Sequence, residues 1–148
     1  MNKAKPSVRL HFLSKFTLTS REALKSYIIS SFKKEKRSFE SLDIIFCSDE
    51  HLLQLNRQFL KHDYYTDILS FPLSKPDQPL VAEIYISVDR VRDNAKNLDS
   101  SFKMELHRVI FHGVLHFCGY KDKSRLEIRK MRDLEEKWLK AYKIKSQG

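Results

Sequence analysis

The chain has 148 residues, 41% hydrophobic and 32% charged, and 28 Lys and Arg against 19 Asp and Glu leave a formal net charge of +9. This length supports one domain with a proper core, and the balance excludes a disordered chain. No apolar run approaches the roughly 18 residues of a membrane span, and residues 1–10 hold no apolar signal segment, so we expect one cytoplasmic domain over residues 1–148 with no membrane partner.

The positive charge indicates a polyanionic partner, and RNA is the most abundant polyanion of the cytosol. The basic residues are dispersed along the chain, so a charged surface that serves solubility alone is the alternative interpretation. Cys47 and Cys118 are the only cysteines. So few cysteines favour thiols in a reducing compartment over a disulfide framework.

The first half of the chain predicts two strands, each followed by a helix. Alternating apolar residues predict a strand at 8–13, and Thr19 and Glu22 form a predicted capping box for the helix that follows. A more continuous apolar segment predicts a central strand at 41–48. Ser48 is then the predicted N-cap of a short helix.

The second half begins with two strand-like segments, 66–73 and 80–87, separated by a loop with two prolines. Such a pair of segments predicts a hairpin or a close antiparallel pair. Ser87 is the predicted N-cap of the next helix, whose apolar positions include Leu98.

Two further helices are predicted at about 101–118 and 125–143. The resulting order is β-α-β-α-β-β-α-α-α. It predicts an α+β fold in a single domain, with a small mixed sheet of about four strands and about five helices on one or both of its faces.

The segment HGVLHFCGYKD, residues 112–122, carries the clearest chemical pattern. His112 and His116 are one helical turn apart at the edge of the apolar side, where side chains at this spacing converge. A helix offers two imidazoles to one metal ion in this way. His107 falls on the opposite edge and is interpreted as a packing or surface residue.

The residues after His116 bring in a third donor. Gly119 supplies the left-handed residue that ends a helix, so the chain can turn back and carry Asp122 towards the imidazoles. Ser124 and Glu127 form a predicted capping box, which keeps the loop short. Three ligands with one open position are the arrangement of a catalytic zinc site. The alternative is a core helix that carries two histidines at its end by chance.

The same segment resembles the signature His-Gly-x-Leu-His-Leu-x-Gly-Tyr-Asp-His of the YbeY family of bacterial metallo-endoribonucleases. Two upstream segments, LNRQFLKHDYYTDILSFP (55–72) and AEIYIS (82–87), are similar to other motifs of that family. The resemblance extends over about residues 43–139.

The resemblance implies a zincin-like metal-binding helix with His112, His116 and Asp122 as ligands of one divalent ion, zinc first among the candidates. It also implies cleavage of single-stranded RNA, with maturation of the 16S ribosomal RNA 3′ end and quality control of 70S ribosomes as the context. Ribosomal proteins are then further partners, and no nucleotide cofactor is expected.

This sequence departs from the family at three places. Asp122 stands where the family has its third histidine, and a carboxylate oxygen remains an acceptable zinc ligand. A set of two histidines and one carboxylate also holds non-haem iron on other folds, so iron is a second candidate for the ion. Leu60 replaces a usual arginine, and Ala82 and Glu83 replace Gly-Asp.

Residues that would act beside the ion are less defined by the sequence. Arg57, Lys61 and His62 are candidates for RNA contacts in place of the missing arginine. Gly113 occupies the position of the glutamate base of zinc peptidases, so the attacking group is expected to be a metal-bound water, with Asp67 or Glu83 as possible helpers. The rival interpretation is a non-catalytic RNA- or ribosome-binding assembly factor with a structural metal.

Overall fold

The computed structural model describes residues 5–147, with side chains described for residues 5–143. Residues 1–4 and 148 of the predicted domain lie outside the described residues. The chain forms four strands, β1 (Ser7–Phe12), β2 (Phe39–Cys47), β3 (Ile68–Pro72) and β4 (Leu80–Ser87). The five helices are α1 (Arg21–Lys34), α2 (Asp49–Leu60), α3 (Val88–Asn97), α4 (Phe102–Phe117) and α5 (Arg125–Gln147).

The four strands form one mixed sheet in the order β1-β2-β4-β3. Strand β2 lies between two parallel neighbours, β1 and β4, which explains its nearly continuous apolar sequence. Strand β3 pairs with β4 in antiparallel register, with Ile68 opposite Ile86 and Pro72 opposite Ala82. The predicted α+β class, mixed sheet and antiparallel pair are therefore confirmed.

Helices cover both faces of the sheet. The inward residues of β4, Ala82, Ile84 and Ile86, are fully buried in the main core. That core also includes buried residues of α1, α3, α4 and α5. On the other face, α2 contributes Leu52 to a smaller cluster with Cys47. The sheet is thus the middle layer, and α4 is positioned against its more heavily covered face.

The serine N-caps predicted for α2 and α3 are present, whereas the cap predicted for α1 is not. The hydroxyls of Ser48 and Ser87 accept hydrogen bonds from backbone N–H groups of the first turns of α2 and α3, as expected. The prediction of a capping box formed by Thr19 and Glu22 was wrong. Helix α1 instead starts after Ser20, whose left-handed conformation (φ 57°) makes no side-chain cap.

Leu98 was predicted on the inner side of α3, and this prediction was wrong because the helix ends at Asn97. Leu98 is the C-cap residue and is 52% exposed. Cys47 and Cys118 are both free thiols, in agreement with the sequence. Among the described residues, no helix combines the length and apolar character needed to cross a bilayer.

A polar cluster joins the two strands β1 and β2. The Arg9 guanidinium donates two hydrogen bonds to the Asp43 carboxylate, at 2.7 and 2.8 Å, and His11 Nε2 lies 2.7 Å from the same group. Hydrogen bonding from Arg9, with a smaller contribution from His11, lowers the pKa of Asp43 to about 2 against the burial that opposes it. A cross-strand pair of opposite charge supports the parallel register.

We expect Asp43→Asn to lower the free energy of unfolding near neutral pH by about 1 kcal/mol. The expected loss is small because Arg9 is largely exposed and solvent weakens its attraction to Asp43. The folded-state pKa lies below the ordinary value, so the carboxylate stabilises the fold above about pH 4 and loses this effect as the pH falls towards 2. Urea unfolding at about pH 7, 5 and 3 should show a difference from wild type that shrinks only at the lowest pH. Asp77→Asn, in an exposed loop, is the matched control; an Asp43→Asn deficit unchanged at about pH 3 would contradict the assignment.

Candidate metal centre

Helix α4 packs against strand residues of the sheet at Gly113. A Cβ atom built there would lie 2.8 Å from Ile84 Cδ1 and 2.9 Å from Ile68 Cδ1, closer than carbon atoms can pack. The absence of a side chain therefore allows this close contact. It turns the neighbouring His112 and His116 to the margin of the buried face, where their side chains are 23% and 33% exposed.

The loop after α4 is short and fixed at both ends. Gly119 adopts the left-handed conformation with φ 100°, and its N–H donates to the His116 carbonyl, which ends the helix. At the other end, the Ser124 hydroxyl accepts from the Glu127 N–H while the Glu127 carboxylate accepts from the Ser124 N–H. The capping box predicted from the sequence is confirmed. Asp122 lies between these two fixed points.

The three predicted donor groups meet at one place. Nε2 of His112 and Nε2 of His116 are 3.0 Å apart, and Oδ2 of Asp122 lies 3.2 Å from the first and 3.3 Å from the second. Ligand atoms about 2.0–2.1 Å from a tetrahedral zinc ion are separated by about 3.3 Å. The triangle therefore has dimensions that one such ion can share. Within the described part of the chain, these are the residues that form such a group.

His112 has a second partner on the opposite side of its ring. Its Nδ1 lies 2.7 Å from Oε2 of Glu135, a residue of α5 that is only 4% exposed. Since a carboxylate only accepts, this contact requires a proton on Nδ1 of His112. In the neutral ring, Nε2 then keeps the lone pair that can bind an ion. Burial lowers the pKa of His112, but the Glu135 hydrogen bond and the charges of Glu135, Asp122 and Asp67 outweigh it and raise the pKa.

Asp67 lies close enough to His112 for their charges to interact. It precedes β3, accepts a hydrogen bond from the Asn94 amide at 3.3 Å, and lines a polar cavity of about 330 Å³ with Glu105, Arg108 and Glu135. Burial raises the pKa of Asp67, and the positive charge of His112 opposes that rise. Three carboxylates thus surround the imidazole pair, an environment that attracts a cation.

Comparisons with known proteins identify the family of the chain. A family described as Endoribonuclease YbeY matches residues 12–143. The Endoribonuclease YbeY of Cytophaga hutchinsonii is 47% identical over 131 residues, which cover 88% of this chain and 92% of that protein. That of Flavobacterium johnsoniae is 35% identical over 137 residues, covering 93% and 98%. The chain belongs to the endoribonuclease YbeY family.

A solved structure shares the fold of this YbeY family member. The solution structure of TM1509 from Thermotoga maritima superposes with a TM-score of 0.61 and covers 95% of this chain and 91% of its own. Its sequence identity is 24%, so the likeness concerns the fold alone.

The structure separates the two carboxylates that the sequence offered as helpers. Asp67 lies within range of the charge of His112 and lines a cavity with Glu135, whereas Glu83 lies on the opposite face of the sheet. Side chains alternate along a strand, and Ile84, the next residue, is the one that contacts Gly113 of α4. Glu83 instead lines a groove with Phe59, Phe71 and other residues of α2 and the hairpin.

The three basic candidates at the end of α2 have different surroundings. Arg57 forms a short ion pair with Asp63, so its charge is already compensated. Lys61 ends α2 in the left-handed conformation and is exposed. The His62 ring stacks on Tyr64, with ring centres 5.1 Å apart. These contacts order the loop that leads to Asp67, and none of them involves the metal-centre donors.

Two features of the site were not found from the sequence. Glu135 lies 23 residues beyond His112 in the chain, and its contact depends on how α5 packs on α4. The second feature is a set of exposed basic residues close to Asp122 in the chain, called here the basic surface around Asp122: Lys121, Lys123, Arg125, Arg129, Lys130 and Arg132. The six basic residues within 121–132 could have indicated this surface from the sequence. Basic residues elsewhere along the chain made the charge look evenly dispersed.

We expect the purified protein to bind about one divalent ion per chain and to become more stable when it does. An ion that binds only the folded state should raise the melting temperature by roughly 5–10 °C at about 100 times its dissociation constant. Asp122→Ala removes one of three donors and should largely abolish this shift. Elemental analysis and calorimetric titration provide the measurement, and a wild-type protein with no ion uptake would contradict the site.

Proposed function

We propose that this chain is a metal-dependent endoribonuclease that hydrolyses single-stranded RNA at the metal centre. The observation that carries the proposal is the meeting of His112 Nε2, His116 Nε2 and Asp122 Oδ2 within 3.0–3.3 Å of one another in a member of this family. Three donors leave one position of a tetrahedral ion open for substrate, as in catalytic rather than structural sites.

Zinc is the ion that we propose for this site. Two imidazole nitrogens and one carboxylate oxygen are ligands that zinc accepts, and the donor separations suit its tetrahedral geometry. When bound, a divalent ion supplies Lewis acidity that activates water and polarises the phosphoryl group. Asp122 adds a negative charge that three neutral imidazoles would not, which also makes the donor set suitable for harder ions such as iron and manganese.

A residue near the metal centre would have to accept the proton of the attacking water. Asp67 is the proposed proton acceptor, because it lies beside His112 and its raised pKa brings it nearer to the range of a working base. Glu83 is a weaker candidate, since it lies across the sheet. Position 113 carries no glutamate in this chain, so the proposed base comes from outside the His-Gly-x-Leu-His segment.

The basic surface around Asp122 is the proposed binding region for the RNA backbone. Lysine and arginine side chains that contact phosphates release counterions, which produces an affinity that falls steeply with salt. Lys61 and His62, with Arg57 behind them, would extend this contact along the loop to Asp67. Tyr64 and Tyr65 in that loop are 56% and 50% exposed, and such aromatic rings can stack on unpaired bases.

We infer a role in ribosome production from the same arguments. The finer proposal is maturation of the 16S ribosomal RNA 3′ end and quality control of 70S ribosomes, with ribosomal proteins as partners in the cytoplasm. Support for this context comes from membership of the family and from the net charge of +9, which suits a polyanionic particle.

We expect His116→Ala to abolish cleavage of a single-stranded RNA, because two donors hold the ion too weakly, while RNA binding that depends on surface charge persists. Gel-based cleavage and fluorescence anisotropy on the same RNA measure the two properties, with a duplex of the same sequence as the substrate control. A wild-type protein that binds RNA and metal but never cleaves would instead support the non-catalytic assembly factor.

We expect Lys123→Ala to weaken RNA binding about two- to fivefold at low salt and to reduce the salt slope by about 0.7, the change for one phosphate contact on a single strand. Lys75→Ala is the matched control. Lys75 is an exposed lysine at the end of the β3–β4 hairpin opposite to Asp67. Equal effects of the two substitutions would show that only net charge matters and would contradict a binding region around Asp122.

A further inference from the structure

The two imidazoles of the metal centre are held differently. Among the described residues, the side chain of His116 contacts only His112 and Asp122, the two groups that would share the ion with it. His112 is held from both sides, by those groups at Nε2 and by Glu135 at Nδ1, 2.7 Å away. Helix α5 therefore restrains one ligand of the pair and not the other.

Glu135 is itself held in place by the side chain of Arg108. Its second oxygen, Oε1, lies 3.6 Å from Nη1 of Arg108. Arg108 in turn donates to Glu105 at 3.2 Å and forms an ion pair with Glu136 at 2.7 Å. A buried carboxylate needs partners for its oxygens, and this arrangement gives each oxygen of Glu135 a different one.

The distances show which partner of Glu135 matters most. The contact with His112 has the length of a strong hydrogen bond to a charged acceptor, whereas the contact with Arg108 is beyond hydrogen-bond range. Arg108 already has two closer carboxylates, on Glu105 and Glu136. Glu135 is thus not needed to compensate Arg108, and its orientation suits the imidazole.

We propose that Glu135 is a positioning residue that fixes the tautomer and ring orientation of His112, with Arg108 holding the Glu135 carboxylate, so that α5 sets the metal affinity of a site built on α4. This inference rests on the proposed function in one respect, because both require that His112 binds the ion. Partners that orient a ligating histidine in this way typically contribute about 10- to 100-fold to metal affinity.

Three variants test this role. Glu135→Ala removes the acceptor, Glu135→Gln keeps an oxygen that can accept from Nδ1, and Glu136→Gln alters an exposed neighbour that contacts Arg108 but not His112. The zinc dissociation constant, measured by chelator competition, should rise about 10- to 100-fold in Glu135→Ala. It should rise no more than about fivefold in Glu135→Gln and about twofold in Glu136→Gln. The visible spectrum of the cobalt-loaded protein should change only in Glu135→Ala.

A measurement on the wild type covers the case in which Glu135→Ala fails to fold. Long-range nitrogen–proton NMR spectra of the zinc-loaded protein report which imidazole nitrogen carries a proton. We expect the proton of His112 on Nδ1. A proton on Nε2, or a Glu135→Ala protein with wild-type zinc affinity and cobalt spectrum, would overturn the proposal.

Further outcomes separate this role from its rivals. Equal losses in Glu135→Gln and Glu135→Ala would show that charge rather than orientation is responsible, and would also overturn it. Zinc affinity is measured without RNA, so the proposed function is tested separately by RNA cleavage with zinc-loaded wild type. A protein that fails to cleave RNA but shows the predicted affinities would contradict that function and support the positioning role.

Discussion

The contact between α4 and the sheet at Gly113 is the constraint on which the site depends. A side chain at this position would push aside the ends of the Ile84 and Ile68 side chains, so glycine lets the helix pack against the sheet without rearranging them. That approach fixes the rotation of α4 about its own axis. The rotation in turn decides that His112 and His116 face the margin of the core, partly exposed and able to receive an ion.

The third donor depends on a different kind of constraint, which is the length of the loop after α4. Gly119 ends the helix and the capping box of Ser124 and Glu127 starts the next one, so few conformations remain for the residues between them. The loop therefore restricts the positions that Asp122 can take. Preordered donors lose little conformational entropy on binding, which favours a stable site.

Burial also explains why Cys118 and His107 are not among the proposed metal ligands. Cys118 lies next to Gly119, but burial raises the pKa of its thiol to about 12, so it is a packing residue rather than a ready thiolate ligand. His107 is on the same helix as the metal-centre histidines, yet it is buried, hydrogen bonded to the Lys103 carbonyl and stacked on Tyr142. Side chains of the same type on one helix thus have different chemistry because their surroundings differ.

Local signals explain what could be predicted from the sequence. The N-caps Ser48 and Ser87 and the loop between Gly119 and Ser124 are set by residues within one or two turns, and these predictions were correct. The predicted start of α1 was wrong, because Ser20 takes a left-handed conformation while the neighbouring Arg21 packs over Phe12. The contact of Glu135 with His112 could not be predicted either, since it requires the packing of α5 on α4.

The central claim is that two imidazole nitrogens and one carboxylate oxygen bind the same ion. X-ray absorption at the zinc edge of the zinc-loaded protein tests it most directly. We expect two imidazole ligands and light oxygen or nitrogen atoms at about 2.0–2.2 Å, with no sulfur. A sulfur ligand at about 2.3 Å, or an ion with a single imidazole, would contradict it.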